Sequence, residues 1–231
     1  MAEVVLLHGG LHGAWCFDYL RPELELFGHR TAAIDMPIDR VGAALDDYAD
    51  AVVAAIEGQV GERPWVLGHS LGGMVIPRVA LRRPVAGLLF LCAGIPPLDV
   101  AQHEENQAAF AAAGADEYVW DDQGRIMLPP EVAARRFYGD CSPEVQAWAA
   151  ARLRAQWAEA FGAYLPIARW PEVPCRAILT REDALLGFER YRALFEARLG
   201  VTPAGMPGSH SPFLSRPGAL ARLIDDLIAS P

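Results

Sequence analysis

Short apolar runs alternate with helical patterns through most of this chain, and that alternation restricts the fold more than any other feature. Strand-like runs lie at Glu3–Leu7, Arg30–Asp35, Pro64–Gly68, Val85–Cys92, Val173–Thr180 and Val201–Met206. Helical patterns fall near Trp15–Phe27, Val41–Gly58, Leu71–Arg82, Glu189–Leu199 and Pro217–Ala229. On the second helix the spacing of Tyr48, Val52, Val53 and Ile56 makes one apolar stripe. Strand–helix alternation of this kind predicts a mainly parallel six-stranded sheet with helices on both faces, an α/β fold.

The alternation fails between Ile95 and Trp170. Helical patches (Glu131–Phe137, Glu144–Phe161) and a short hairpin around Tyr118–Met127, turning at Asp122-Gln123-Gly124, are expected there. A connection that long in a compact domain needs a role of its own. It reads as a mostly helical cap over about residues 96–170, inserted after the fourth strand of one domain spanning residues 1–231.

One segment points to chemistry. Gly68-His69-Ser70-Leu71-Gly72-Gly73 follows the apolar run Trp65-Val66-Leu67 and precedes an apolar helix. The pattern Gly68-x-Ser70-x-Gly72 in that setting is a nucleophile elbow, with Ser70 at the tip of a strained strand-to-helix turn. A serine hydroxyl is a weak nucleophile until a base takes its proton, and the base needs a carboxylate to hold its tautomer. With this elbow the chain order is nucleophile, acid, histidine. Five of the six histidines (His8, His12, His29, His69, His103) come too early, which leaves His210 in Gly208-Ser209-His210-Ser211-Pro212. The acid should end a strand between Ser70 and His210. Asp183 does so, with its neighbour Glu182 as an alternative and Asp99 as a weaker one.

The transition state of acyl transfer carries an oxyanion that needs fixed N–H donors. The backbone N–H of Leu71 is one. The other should come from His8-Gly9-Gly10-Leu11-His12-Gly13, with Gly10 first and Leu11 second. His69 reads as a support of the elbow, His8 and His12 as hydrogen-bonded within their loop, and His29 and His103 as facing solvent. Leu11, His12, Trp120 and Phe213 are candidate pocket residues. Trp148, Trp157 and Trp170 read equally well as packing of the cap.

Composition excludes several other roles. A net charge of −9 without a basic run argues against nucleic acid. No apolar stretch approaches the about 20 residues of a membrane span. Glu3 and the absence of a basic leader argue against a signal peptide, so a cytoplasmic location is expected. Cys16, Cys92, Cys141 and Cys175 are scattered and read as reduced thiols. No residue group has metal-ligand or phosphate-loop spacing, so no metal and no cofactor are expected. The expected partner is a small-molecule ester, and a homodimer is left open.

These pieces together resemble the α/β-hydrolase fold, and within it the methylesterase and hydroxynitrile-lyase branch of plant methyl-ester hydrolases and small bacterial esterases. Five segments carry the likeness: Leu6-Leu7-His8-Gly9-Gly10-Leu11-His12-Gly13-Ala14-Trp15-Cys16, the elbow, Phe137-Tyr138-Gly139-Asp140-Cys141-Ser142-Pro143-Glu144, Thr180-Arg181-Glu182-Asp183, and Gly208-Ser209-His210-Ser211-Pro212-Phe213-Leu214-Ser215-Arg216-Pro217. The resemblance implies six parallel strands, no antiparallel strands before them, and a cap. It also implies Ser70, Asp183 and His210 as a triad, with Gly10 and Leu71 as oxyanion donors. Lyases of the branch carry Thr, Lys and Glu where this chain has Gly9, Ser211 and His69, which favours ester hydrolysis. An Asp nucleophile, as in related dehalogenases and epoxide hydrolases, is excluded by Ser70. The expected activity is a serine esterase acting on a small, mainly apolar ester. The alternatives are a lactonase, a C–C bond hydrolase or lyase, and a receptor-like protein with little turnover.

Overall fold

A computed structural model describes residues 1–112, 115–158, 166–167 and 169–230. Six parallel strands form the main sheet: β1 (Glu3–Leu7), β2 (Arg30–Ile34), β3 (Trp65–His69), β4 (Gly87–Leu91), β8 (Cys175–Thr180) and β9 (Ala204–Met206). Their spatial order is β2-β1-β3-β4-β8-β9. Register is continuous through the centre, with Leu6 beside Leu67 and Leu67 beside Leu89.

Both faces of the sheet are buried because side chains alternate along each strand. Leu6, Leu67, Leu89 and Ile178 face one core, with Phe17, Leu20, Leu24, Leu220 and Ile224. Those partners come from a 3₁₀ turn (Ala14–Phe17), α1 (Leu20–Leu26) and the last helix (Pro217–Ala229). Val5, Val66, Leu88 and Leu179 face the other core. It is filled from α2 (Leu45–Ile56), α3 (Gly72–Ala80) and α7 (Phe188–Leu199) by Tyr48, Val52, Ile56, Val75, Val79 and Phe195. The predicted stripe on α2 is thus the face that packs. The predicted helix from Trp15 to Phe27 is in fact two pieces, the 3₁₀ turn and α1.

Between β4 and β8 lie α4 (Val100–Ala112), α5 (Pro130–Phe137), α6 (Pro143–Ala150) and an antiparallel sheet of β5 (Val119–Trp120), β6 (Arg125–Met127) and β7 (Gln156–Trp157). The hairpin turns where expected, with Gly124 at φ +75°. The expected helix from Glu144 to Phe161 is corrected: α6 ends at Ala150, and Gln156–Trp157 is a strand. Tertiary pairing overrides helical propensity here. The N–H of Arg154 goes to Leu11 C=O at 2.7 Å and that of Trp157 to Ile38 C=O at 2.7 Å. Residues 159–161 lie outside the described residues. All four cysteines are free. Among the described residues no helix is long and apolar enough to cross a membrane.

Strand order reverses between β1 and β3, since β2 lies to one side of β1 and the later strands to the other. A crevice outside the carboxyl ends of such strands is where α/β sheets bind ligands. The loop 8–13 leaves the end of β1 and Ser70 follows the end of β3. Asp183 follows β8 and His210 follows β9.

Candidate active site

Ser70 stands immediately after β3 with φ +51°, a left-handed conformation that costs a non-glycine residue free energy. The turn is held by its own backbone. Ser70 N–H donates to Leu91 C=O at 3.1 Å, and Ser70 C=O accepts from Gly73 N–H at 3.0 Å and Gly94 N–H at 3.1 Å. The flanking glycines are required by contact. A Cβ on Gly68 would lie 2.5 Å from the Gly72 carbonyl carbon, and one on Gly72 would lie 2.7 Å from Leu7 O.

His210 and Asp183 meet just past the ends of the adjacent strands β9 and β8. His210 Nδ1–H donates to Asp183 Oδ2 at 2.8 Å, and both side chains are buried. Asp183 Oδ1 also accepts the N–H groups of Leu185 at 2.8 Å and Leu186 at 3.1 Å. Burial alone would push this carboxyl up. The His210 ring and these hydrogen bonds outweigh burial and hold it below the usual carboxylate range. The Asp183–His210 bond fixes the His210 tautomer and leaves Nε2 as the free nitrogen, buried and without a partner among the described residues. In this conformation no hydrogen bond joins it to Ser70, whose side chain is half-buried.

Glu182, the alternative acid, turns elsewhere and accepts the N–H of Gly208 at 2.5 Å, bracing the His210 loop. Asp99 accepts the N–H of Gln102 at 2.8 Å, at the start of α4. Neither touches His210.

His69 is not placed as a base. Its Nε2–H donates to the His210 carbonyl at 2.9 Å, and the two rings lie 4.7 Å apart. Burial, then the neighbouring His210 and His12 rings, keep its pKa well below 6.5. His8 Nδ1–H donates to Gly9 C=O at 2.8 Å and its Nε2 accepts Met36 N–H at 3.0 Å. His12 Nδ1–H donates to Gly10 C=O at 2.8 Å and its Nε2 accepts from Tyr138 O–H at 2.8 Å. Burial brings His8 down to about 4 and His12 down to about 3.

The N–H groups of Gly10 and Leu71 have no partner among the described residues. Leu11 does: its N–H donates to Gln156 Oε1 at 2.9 Å. Leu11 is therefore corrected as the second choice of oxyanion donor. It sits at φ +64°.

Other expectations are corrected as well. Trp120 is 66% exposed on the edge strand of the small sheet, opposite Ile126. His29 is buried, not solvent-facing. It accepts Ala2 N–H at 3.2 Å and donates to Asp225 at 3.1 Å. His103 is half-buried. Phe213 is fully buried, with its ring 4.7 Å from that of His69 and 5.3 Å from that of Phe17. Trp148 packs on Trp15 and Tyr19, not within a separate cap core, and Trp170 stacks over Phe90.

Sequence reasoning missed three supporting residues. Gln156 gave no signal because it lay inside an expected helix. Tyr138 and Asp140 fell in a motif with no role assigned to either. Asp140 accepts from the hydroxyl of Ser209, the residue before His210, and pairs with Arg216 at 3.3 Å. Among the described residues no group of three or more His, Cys, Asp or Glu side chains could hold a metal ion.

A profile of the alpha/beta hydrolase family matches residues 4–223. A pyrethroid hydrolase of Sphingobium wenxiniae is 30% identical over all of this chain and 89% of its own length. Salicylic acid-binding protein 2 of Nicotiana tabacum is 28% identical over 65% of each chain. Among solved structures, a pyrethroid hydrolase from Sphingobium faniae matches at TM-score 0.81 and 26% identity, covering 100% of this chain and 98% of that one. With the profile spanning nearly its whole length and a relative aligned from end to end, the chain belongs to the alpha/beta hydrolase family.

Proposed function

We propose that this chain is a serine carboxylic-ester hydrolase in which Ser70, His210 and Asp183 form the triad, and the Gly10 and Leu71 N–H groups form the oxyanion hole. The observation that carries the reading is the buried 2.8 Å contact between His210 and Asp183, at the strand ends where Ser70 sits in its strained turn. The relatives are named as hydrolases and esterases, which supports the same chemistry.

Ser70 Oγ attacks the ester carbonyl while His210 Nε2 takes its proton. The imidazolium so formed is stabilised by Asp183. The tetrahedral oxyanion is bound by the two free N–H groups, with the N-terminus of α3 behind Leu71 adding favourable dipole. Its collapse expels the alcohol, which takes the proton from His210. Water, deprotonated by His210, then attacks the acyl-serine and releases the acid. The segment over about residues 96–170 acts as the cap.

The substrate is a small, mainly apolar ester. The Phe137 ring lies 5.9 Å from that of His210, and the buried Phe213 ring packs 4.7 Å from that of His69, beside it. The test is a panel of p-nitrophenyl and methyl esters of varied chain length with wild type and Ser70→Ala, together with labelling by a fluorophosphonate. Labelling of Ser70 and loss of turnover in Ser70→Ala are expected. Full esterase activity in Ser70→Ala refutes the assignment. Tight reversible ligand binding without labelling makes the chain a receptor, and turnover confined to lactones or C–C substrates moves the substrate class.

A further inference from the structure

The Gly10–Leu11 peptide is gripped at both ends by groups that depend on the segment between β4 and β8. Its C=O accepts His12 Nδ1–H at 2.8 Å, and its N–H donates to Gln156 Oε1 at 2.9 Å. Arg154 N–H holds the next carbonyl, that of Leu11, at 2.7 Å. On the other side, Gly9 C=O accepts from His8. The N–H of Gly10 belongs to the Gly9–Gly10 peptide, which adjoins the gripped one at the Gly10 Cα, and is left unpaired among the described residues.

His12 can play its part in one tautomer only. With the proton on Nδ1 it donates to Gly10 C=O, and Nε2 then needs a donor. Tyr138 O–H supplies it at 2.8 Å. The opposite tautomer would set a nitrogen lone pair against a carbonyl oxygen. Tyr138, just after α5, thus locks the ring that holds Gly10.

Gln156 carries a mark of function that packing does not account for. It is fully buried, and its Nε2 has no partner among the described residues. An unsatisfied buried amide group costs free energy that an apolar side chain of the same length would avoid. What the carboxamide supplies is the acceptor for Leu11, a residue held at φ +64°.

We propose that Gln156 and Tyr138 are positioning residues that fix the Gly10–Leu11 peptide, and so aim the Gly10 N–H at the oxyanion. This rests on the serine-hydrolase reading above. The two residues act through the loop and touch no reacting atom. The consequence is that the oxyanion hole is complete only while the inserted segment is docked on the loop after β1.

Gln156→Met keeps length and packing and removes the acceptor. With p-nitrophenyl acetate, kcat should fall about tenfold to a hundredfold, short of the 10²–10³ that loss of an oxyanion donor itself costs. KM should stay within about threefold of wild type. The inhibition constant of a trifluoromethyl ketone, whose serine adduct carries the oxyanion, should rise in step with the loss in kcat. Tyr138→Phe should move the same two quantities in the same direction, and serves alone if Gln156→Met does not fold. A loss of kcat in Ser70→Ala alongside unchanged kcat and ketone inhibition in both variants overturns this proposal and spares the serine. A rise in KM alone also overturns it, since that marks a pocket-lining role. Full activity in Ser70→Ala overturns the underlying reading instead.

Discussion

Asp183 and His210 lie 27 positions apart in sequence, yet their side chains meet at 2.8 Å with both almost wholly withdrawn from solvent. The neighbouring Glu182 is occupied by the Gly208 N–H, so one strand end supplies two carboxylates with separate tasks. Asp183→Asn should lower kcat on the order of 10⁴-fold with little change in KM, because an amide can hold the imidazole in the wrong tautomer. Glu182→Gln keeps an acceptor for Gly208 and should cost less than about tenfold. Steady-state kinetics on the two variants separates them, and a reversed ranking would move the acid to Glu182.

Asp140 ties the end of α5 to the histidine loop through Ser209 and Arg216. Burial alone would raise its pKa; the donated hydrogen bonds and Arg216 outweigh that and lower it. Asp140→Ala should therefore destabilise the fold by about 1–3 kcal/mol, as expected when buried donors lose their acceptor. Urea denaturation checks this, and an unchanged midpoint would count against the anchoring role.

His8, His12 and His69 are buried and neutral, with folded pKa values below the ordinary 6.5. Unfolding frees each ring to take up a proton once pH falls under that value. Stability should then drop as pH falls, by up to about 1.4 kcal/mol per pH unit for each ring. The loss continues to about 4 for His8 and about 3 for His12. Asp183, whose pKa is held low, adds its own loss only further into acid. Denaturation midpoints between neutrality and pH 5 should fall steeply, and a flat profile would contradict neutral burial of these rings.

Gly9 packs directly on the elbow. A Cβ there would lie 2.8 Å from His69 Nδ1 and 2.9 Å from Ser70 Cβ. Gly9→Ala should displace Ser70 relative to His210 and cost about 10²-fold in kcat/KM, in keeping with the sensitivity of such geometry to small shifts. Near-wild-type kinetics would mean that the loop yields freely.

The main sheet was legible because each strand is a short apolar run and each helix an amphipathic one, so local pattern and tertiary burial agree. The contact of Asp183 with His210 and the strained turn at Ser70 were legible for another reason: chain order and strand ends leave few alternatives. What was not legible depends on contacts across the fold. Residues 154–157 follow a helix and read as its continuation. Their backbone groups are instead taken by Leu11 and Ile38, far away in sequence. Gln156 is polar in a helical pattern, and nothing local marks it as buried. His29 looks like a surface residue until Asp225 and Ala2 enclose it. Trp120 shows the reverse case, an aromatic that the edge of a small sheet leaves outside.

Trp148 sits with its ring stacked on Tyr19 and edge-on to Trp15, so an indole of the long insertion and one of the turn after β1 have ring centroids 5.2 Å apart. Indole emission depends on its immediate neighbours. The chain therefore carries an intrinsic optical gauge of whether α6 is seated on the turn after β1, readable without attaching any dye.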